Sequence, residues 1–214
     1  MPLWALLKTG GVTIYILIGC SILSLAIILE RLFYYRKRGT IKRTAFMVQI
    51  IDAVEKGNIK KALRICEDAD TPFSNVVLAG LNLSDHDEVI ISNTMAREIT
   101  IETNKLERYT SIIGTLGSTA VYIGLFGTVL GIIRAFHDIS ESGTGGISIV
   151  INGISEALVC TAAGLAVAVP AVIAYNYFIK RIDNFIIDME LCTSQTMDLI
   201  NIRKKWADDH GKKD

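Results

Sequence analysis

Apolar residues along this chain do not alternate with polar ones. They gather into three long runs, the block pattern of helices built to sit in hydrocarbon. Thr9 to Leu29 holds 21 residues without a formal charge and Tyr109 to Ile133 holds 25, each long enough for the ~20 residues that cross a bilayer as an α-helix. A third run, Ile147 to Ile179, contains one charge, Glu156. It exceeds a single crossing, so its helix is expected to project beyond the membrane. Residues 31–108 are polar, with turn signals at Gly57-Asn58 and Thr71-Pro72, and read as a small helical hairpin. The expected order is a periplasmic N-terminus and first transmembrane helix (1–30), a cytoplasmic helical region (31–108) and a second transmembrane helix (109–136). A periplasmic loop (137–146), a third transmembrane helix (147–179) and a cytoplasmic C-terminal helix and tail (180–214) complete it.

Two of these helices are expected to be long. From Asp85 the pattern runs without Pro or Gly through Met95, Ile99 and Leu106 into the second span, with Ser84 or Asp85 as N-cap. Continuous to Phe136, such a helix would reach about 75 Å at ~1.5 Å per residue. The third span, continued through Asp183, Asp188 and Asp198, could match it. Its stripe of Phe185, Met189, Cys192 and Met197 cannot stay exposed, which argues for oligomerisation. The fold class is an all-α integral membrane protein with three transmembrane helices, two of them long and extending into the cytoplasm, assembling as a helical oligomer.

Composition agrees: 50% of the residues are hydrophobic, mean hydropathy is +0.40, and there are only three prolines. Net charge is zero and pI about 6.8, so no overall basic bias points to nucleic acid. The local distribution is more telling. Arg31, Arg36, Lys37, Arg38, Lys42 and Arg43 follow the first span, whereas the segment between the second and third has Arg134 against Asp138 and Glu141. Positive-inside then places the N-terminus in the periplasm and Lys180, Arg181, Arg203, Lys204 and Lys205 in the cytoplasm. Tyr34, Tyr35, Tyr175 and Tyr177 suit the interfaces. The first run is longer than a signal-peptide core and lacks an A-x-A site, so it is expected to stay attached.

Little else suggests chemistry. Cys20, Cys66, Cys160 and Cys192 form no CxxC and have no nearby His, so they read as structural thiols. His86, His137 and His210 fall in polar segments without ligand spacing. Gly143-Thr144-Gly145-Gly146 lies in the outer loop and is not a phosphate loop, and Asn82-Leu83-Ser84 fits a glycosylation pattern on the wrong side of the membrane. The expectation is no metal, no cofactor and no enzyme activity. A membrane enzyme would need a nucleophile–base pair, which the sequence does not offer.

Two stripes of small residues stand out. Positions 114, 117, 121, 124, 128 and 131 share one helix face and read Gly, Gly, Val, Gly, Thr, Gly; Ala157, Thr161, Gly164, Ala168 and Ala171 repeat the device on the third span. The residues leave two readings open. Small side chains and Gly127-x-x-x-Gly131 permit close helix packing, or the stripes form a narrow lining with Thr128 and Thr161 as hydroxyl rings. Glu156 sits about nine residues into the third span. Ionisable groups at that depth cost ~2.5–3.5 kcal/mol on insertion scales and usually face protein or water. Desolvation disfavours the charged form, so this carboxyl is expected to be neutral or to exchange a proton. The alternative is a structural acid bonded to Asn152 one turn earlier. No second acid lies within the spans, so a complete proton path would need one from another subunit.

At these residues the sequence resembles the MotA/TolQ/ExbB proton channel family, most closely its ExbB and TolQ branch. The resemblance is carried by Ile123-Gly124-Leu125-Phe126-Gly127-Thr128-Val129-Leu130-Gly131-Ile132-Ile133 and by Gly153-Ile154-Ser155-Glu156-Ala157-Leu158-Val159-Cys160-Thr161-Ala162-Ala163-Gly164-Leu165. Val169-Pro170-Ala171-Val172 and Tyr175-Asn176 follow in the same order. It implies a pentamer in the bacterial inner membrane around a single-span partner of the ExbD or TolR kind, which brings an aspartate to the pore. It further implies a TonB-like periplasmic protein as the recipient of motion. Thr128, Glu156 and Thr161 would lie on the proton pathway, with Gly114, Gly117, Gly124, Gly131, Ala157, Gly164, Ala168 and Ala171 facing the pore. Ser155 and Cys160 stand where the family often has alanine, which keeps the positions small. A TolQ-like role in envelope maintenance and a non-conducting membrane scaffold are the alternatives.

Overall fold

The computed structural model describes residues 11–142 and 147–211; Gly143-Thr144-Gly145-Gly146 and the start of the first apolar run at Thr9 lie outside them, as do the side chains of Glu141 and His210. Every element among the described residues is helical: α1 Gly11–Arg38, α2 Arg43–Glu55, α3 Ile59–Ala69, α4 Pro72–Asn82, α5 Glu88–Glu107, α6 Thr110–Ser142 and α7 Ile147–Gly211. Of these, α1, α6 and α7 carry stretches long and apolar enough to cross a membrane. The contacts divide the chain into two compact units, residues 1–31 with 109–178, and residues 32–108 with 179–214.

In the first unit the three apolar helices meet through small side chains. Leu17 of α1, Ala120 of α6 and Ala168 of α7 form a buried cluster, with Val121, Ile123, Ala163 and Val167 packed around it. Outward-facing residues such as Ile22, Phe126 and Ile173 are largely exposed, as lipid-facing or partner-facing positions of a membrane helix must be. Pro170 is accommodated inside α7, where it forfeits one backbone hydrogen bond.

The second unit holds a core of its own. Its polar segment is not one hairpin but α2 to α5 in succession. The turn signals are where the sequence puts them: Gly57 has φ +69 after α2, and Asn58 caps α3 through Lys61 N–H. Thr71 and Ser74 exchange side-chain and backbone hydrogen bonds in a capping box, with Pro72 opening α4. Phe46 and Phe73 meet at 5.2 Å between ring centroids. Gly80 of α4 lies against Met95 of α5, where a Cβ would sit 2.6 Å from the Met95 sulfur.

The long helix expected from Asp85 to Phe136 is interrupted. Helix α5 starts at Glu88 with Asp87, not Ser84 or Asp85, at its N-cap and ends at Glu107. Arg108 is then extended (ψ 129) and Tyr109 left-handed (φ 65) before α6 begins. Neither Gly nor Pro marks this break, so the pattern conceals it. Tertiary contacts set it instead. The Tyr35 hydroxyl donates to the Leu106 carbonyl at 2.8 Å, satisfying an end-of-helix acceptor, and the Arg31 guanidinium lies 5.5 Å from the centre of the Tyr109 ring. Asp85 and Ser84, free of capping, meet Arg203 of α7 at 3.6 and 3.3 Å. Helix α6 also continues to Ser142 through most of the segment expected as a loop.

Helix α7 fulfils the other long-helix expectation with 65 residues. Its stripe of Phe185, Met189 and Cys192, however, is buried within the chain. Arg43 of α2 pairs with Asp188 at 3.2 Å and donates to Gln195 at 3.3 Å, and Tyr35 lies against Phe185. That stripe therefore gives no argument for oligomerisation. Glu102 is fully buried; one carboxylate oxygen accepts from Asn75 at 2.9 Å and Lys105 at 2.6 Å, and the other has no hydrogen-bond partner. The hydrogen bond to Glu102 holds the Lys105 ammonium above its ordinary range.

The cysteines are unbridged. Burial pushes the thiols of Cys66 and Cys192 up to about 12, so at pH 7–8 both stay protonated and unreactive. Maleimide labelling of the folded protein at that pH is expected to leave both unmodified, and denaturation to expose them. Labelling of either in the folded state would show that this core opens.

Candidate functional site: a hydroxyl pair in the α6–α7 seam

The two small-residue stripes face each other. A Cβ on Gly124 would meet the Cys160 carbonyl at 2.8 Å and the Gly164 Cα at 3.1 Å; one on Gly164 would meet the Ala120 carbonyl at 2.7 Å. Contact of backbone on backbone is possible only because both positions lack a side chain. The seam extends from Gly131 against Ala157, through Gly124 and Gly164, to Gly117 against Ala171 and Val172 and Gly114 against the Tyr175 ring. Ala168 and Ala171 are buried along it. Within one chain, all eight small residues named from the sequence are thus taken up by helix contact. The physical reason is that a bare face packs best against another bare face.

Thr128 and Thr161 come together in this seam. Their hydroxyls are in direct contact, and the Thr128 hydroxyl also reaches the Ala157 carbonyl at 3.0 Å and the Gly124 carbonyl at 3.2 Å. Thr161 has the Gly124 carbonyl at 3.5 Å. Each hydroxyl owns one proton, so a consistent arrangement has Thr161 donating to Thr128 and Thr128 donating across the seam to Ala157. Thr128 is 9% exposed and Thr161 only partly covered. The pair is a short chain of exchangeable protons whose Thr161 end is accessible.

Glu156 is placed apart from this pair. It lines a separate cleft of about 150 Å³ between α1, α6 and α7, together with Thr13, Arg134, Asp138 and Cys160. That is room for several waters. Among the described residues Glu156 is exposed and makes no hydrogen bond or ion pair, so the expected bond to Asn152 is not formed. The cleft floor is Gly127: a Cβ there would lie 2.8 Å from both Cys160 Cβ and Thr13 Oγ1, and Thr13 and Cys160 are themselves 3.5 Å apart. Thr13, Arg134 and Asp138 were not singled out from the sequence as part of a site. The i, i+4 spacing of Arg134 and Asp138 was the available signal, and the expected place of Asp138 in a loop hid it. No group of residues among those described could hold a metal ion.

Residues 68–191 match the MotA/TolQ/ExbB proton channel family. The chain belongs to that family. Relatives bear this out along much of its length. It is 28% identical over 189 residues to a biopolymer transport protein ExbB homolog of Methanothermobacter thermautotrophicus, covering 88% of this chain and 67% of that one. The ExbB of Xanthomonas campestris is 33% identical over 141 residues, 58% of this chain and 56% of that protein, so this chain matches about half of its length. The Tol-Pal system protein TolQ of Pseudomonas aeruginosa is 44% identical over 91 residues, 42% of this chain and 39% of TolQ. With three helices long and apolar enough to cross a membrane, the chain is an ExbB-like member of that family. The matched segment contains Thr128, Glu156 and Thr161.

Proposed function

We infer that this chain is the stationary, ExbB-like subunit of a proton-driven motor of the inner membrane. The observation that carries the reading is the Thr128–Thr161 hydroxyl pair, held in a glycine-lined seam beside a cleft that holds Glu156, an acid with no partner among the described residues. Copies of the chain would form a pentamer, with α6 and α7 nearest the axis and the Thr161 side of the seam turned toward it. A single-span, ExbD- or TolR-like protein in that axis would supply the missing acid. One elementary charge crossing 100 mV releases about 2.3 kcal/mol, enough to bias a protonation-dependent movement of the central helix. A TonB-like periplasmic protein would receive that movement and drive an outer-membrane transporter. In this reading the N-terminus is periplasmic, the C-terminus cytoplasmic, and the chain provides a proton path without enzymatic chemistry.

The test is co-expression with a candidate single-span, acid-bearing protein, followed by proton flux in liposomes with and without it. Co-purification and partner-dependent flux support the reading; tight association with no flux leaves a scaffold. The 44% identity to TolQ favours a second reading, a TolQ-like subunit of envelope maintenance. Deletion separates them, since loss of energised outer-membrane uptake follows from the first and detergent-sensitive envelopes from the second.

A further inference from the structure

The second unit contains a cleft of about 320 Å³, walled by the turn after α1 and by the first part of α7 in that unit, within the ~300–1,000 Å³ of small-molecule sites. Lys42, Arg43 and Arg181 reach it, against one carboxylate, Asp188. That carboxylate is already used, paired with Arg43 at 3.2 Å. Lys42 and Arg181 have no carboxylate partner among the described residues. Two cations thus line a concave site without a carboxylate of their own among the described residues.

Arg181 is held in place rather than merely present. Its guanidinium stacks on Phe185, 4.8 Å from the ring centre, and rests on the bare Cα of Gly39: a Cβ there would lie 2.3 Å from one terminal nitrogen. A stacked, planar fork presents its donors without the entropy cost of ordering a free side chain, and its geometry suits a phosphate. The cleft also has a definite level. It lies just beyond Leu32 and Phe33, the latter 72% exposed, on α1, and directly beyond Ile179 on α7. Those apolar residues give way to Arg36, Lys37, Arg38 and Lys180, the step from apolar to basic expected where hydrocarbon meets headgroups.

We propose that this cleft is a binding site for the phosphodiester headgroup of an anionic phospholipid, taken by Arg181 and Lys42, with acyl chains lying along the exposed Leu32 and Phe33 face. The site is independent of proton conduction.

The experiment measures lipid retained by the full chain after reconstitution with equal phosphatidylglycerol and phosphatidylcholine and extraction into detergent, where diffuse attraction to a charged bilayer is gone. The wild-type chain is expected to retain phosphatidylglycerol selectively. Arg181→Gln and Lys42→Gln should each lower that retention about tenfold. Gly39→Ala should do the same, because its Cβ would push the Arg181 fork aside; it also comes 3.0 Å from the Tyr35 carbonyl, a contact relieved by a few tenths of an ångström, and circular dichroism checks that the fold is kept. Lys37→Gln, exposed on α1 and outside the cleft, should stay within about twofold. Unchanged retention in Arg181→Gln and Gly39→Ala, or equal loss in Lys37→Gln, overturns the proposal. So does an Arg181-dependent stabilisation by inorganic phosphate without lipid selectivity, which would assign the cleft to a soluble anion.

Discussion

Gly164→Val is expected to separate α6 from α7 and to be among the most destabilising substitutions in the chain. Any Cβ at Gly164 lies 2.7 Å from the Ala120 carbonyl and 3.0 Å from the Gly124 Cα. Both obstacles are backbone, so relief requires moving a helix rather than turning a rotamer. Overpacking typically costs about 1–3 kcal/mol, and a branched side chain against the α6 main chain at two points should reach the upper end. The shift would also part Thr128 from Thr161, adding about 1 kcal/mol for a lost hydrogen bond. A thermal or denaturant midpoint of the detergent-solubilised protein measures this. Gly19→Ala is the control: a Cβ there meets nothing within 4 Å among the described residues, and no loss of stability is expected, since alanine favours a helix interior over glycine. Equal midpoints for Gly164→Val and wild type would mean that the seam is not closed as described.

How far the sequence disclosed this arrangement depends on which force set each feature. The three spans were legible because crossing a bilayer demands uninterrupted apolar length, which is written locally. The starts of α3 and α4 were legible for the same kind of reason, since Asn58 and Thr71-Pro72 act on their own turns. The break at Arg108–Tyr109 was not, because a tyrosine hydroxyl 71 residues away satisfies the helix end, and nothing in the local pattern announces it. The burial of Phe185, Met189 and Cys192 was missed likewise: an apolar stripe states that it needs cover, not whether the cover is its own chain. The site was half legible. Spacing put Thr128 and Thr161 on facing stripes, and the structure joins them. Glu156 is five residues before Thr161, yet one position off the seam next to Ala157, and so it opens into the cleft with Thr13 instead. Small residues alone do not distinguish a lining from a seam, because both require the absence of side chains.

Thr161→Val is expected to slow proton flux sharply while leaving the fold and assembly intact. Valine keeps the branched shape of threonine, and the Thr128 hydroxyl it abandons still has the Ala157 carbonyl at 3.0 Å as an acceptor. The stability change should therefore stay near 1 kcal/mol, whereas the proton chain loses a member. A hydrogen bond to a charged or charge-bearing group is worth about 1.5–3 kcal/mol, and at about 1.36 kcal/mol per factor of ten its loss at the rate-determining transfer slows flux roughly 10- to 100-fold. Thr161→Ser, which restores the hydroxyl, should recover most of it. Glu156→Gln separates the cleft from the seam: it preserves size and polarity but cannot release a proton at neutral pH. If Glu156 acts in relay with Thr161, the double variant Glu156→Gln/Thr161→Val conducts no less than either single one, because the same path is already closed. Multiplicative losses would instead mean that the two residues contribute independently to the barrier rather than as one relay. Full flux in Thr161→Val, measured with the single-span partner present, would remove the hydroxyl pair from the pathway and leave it as a clamp between helices.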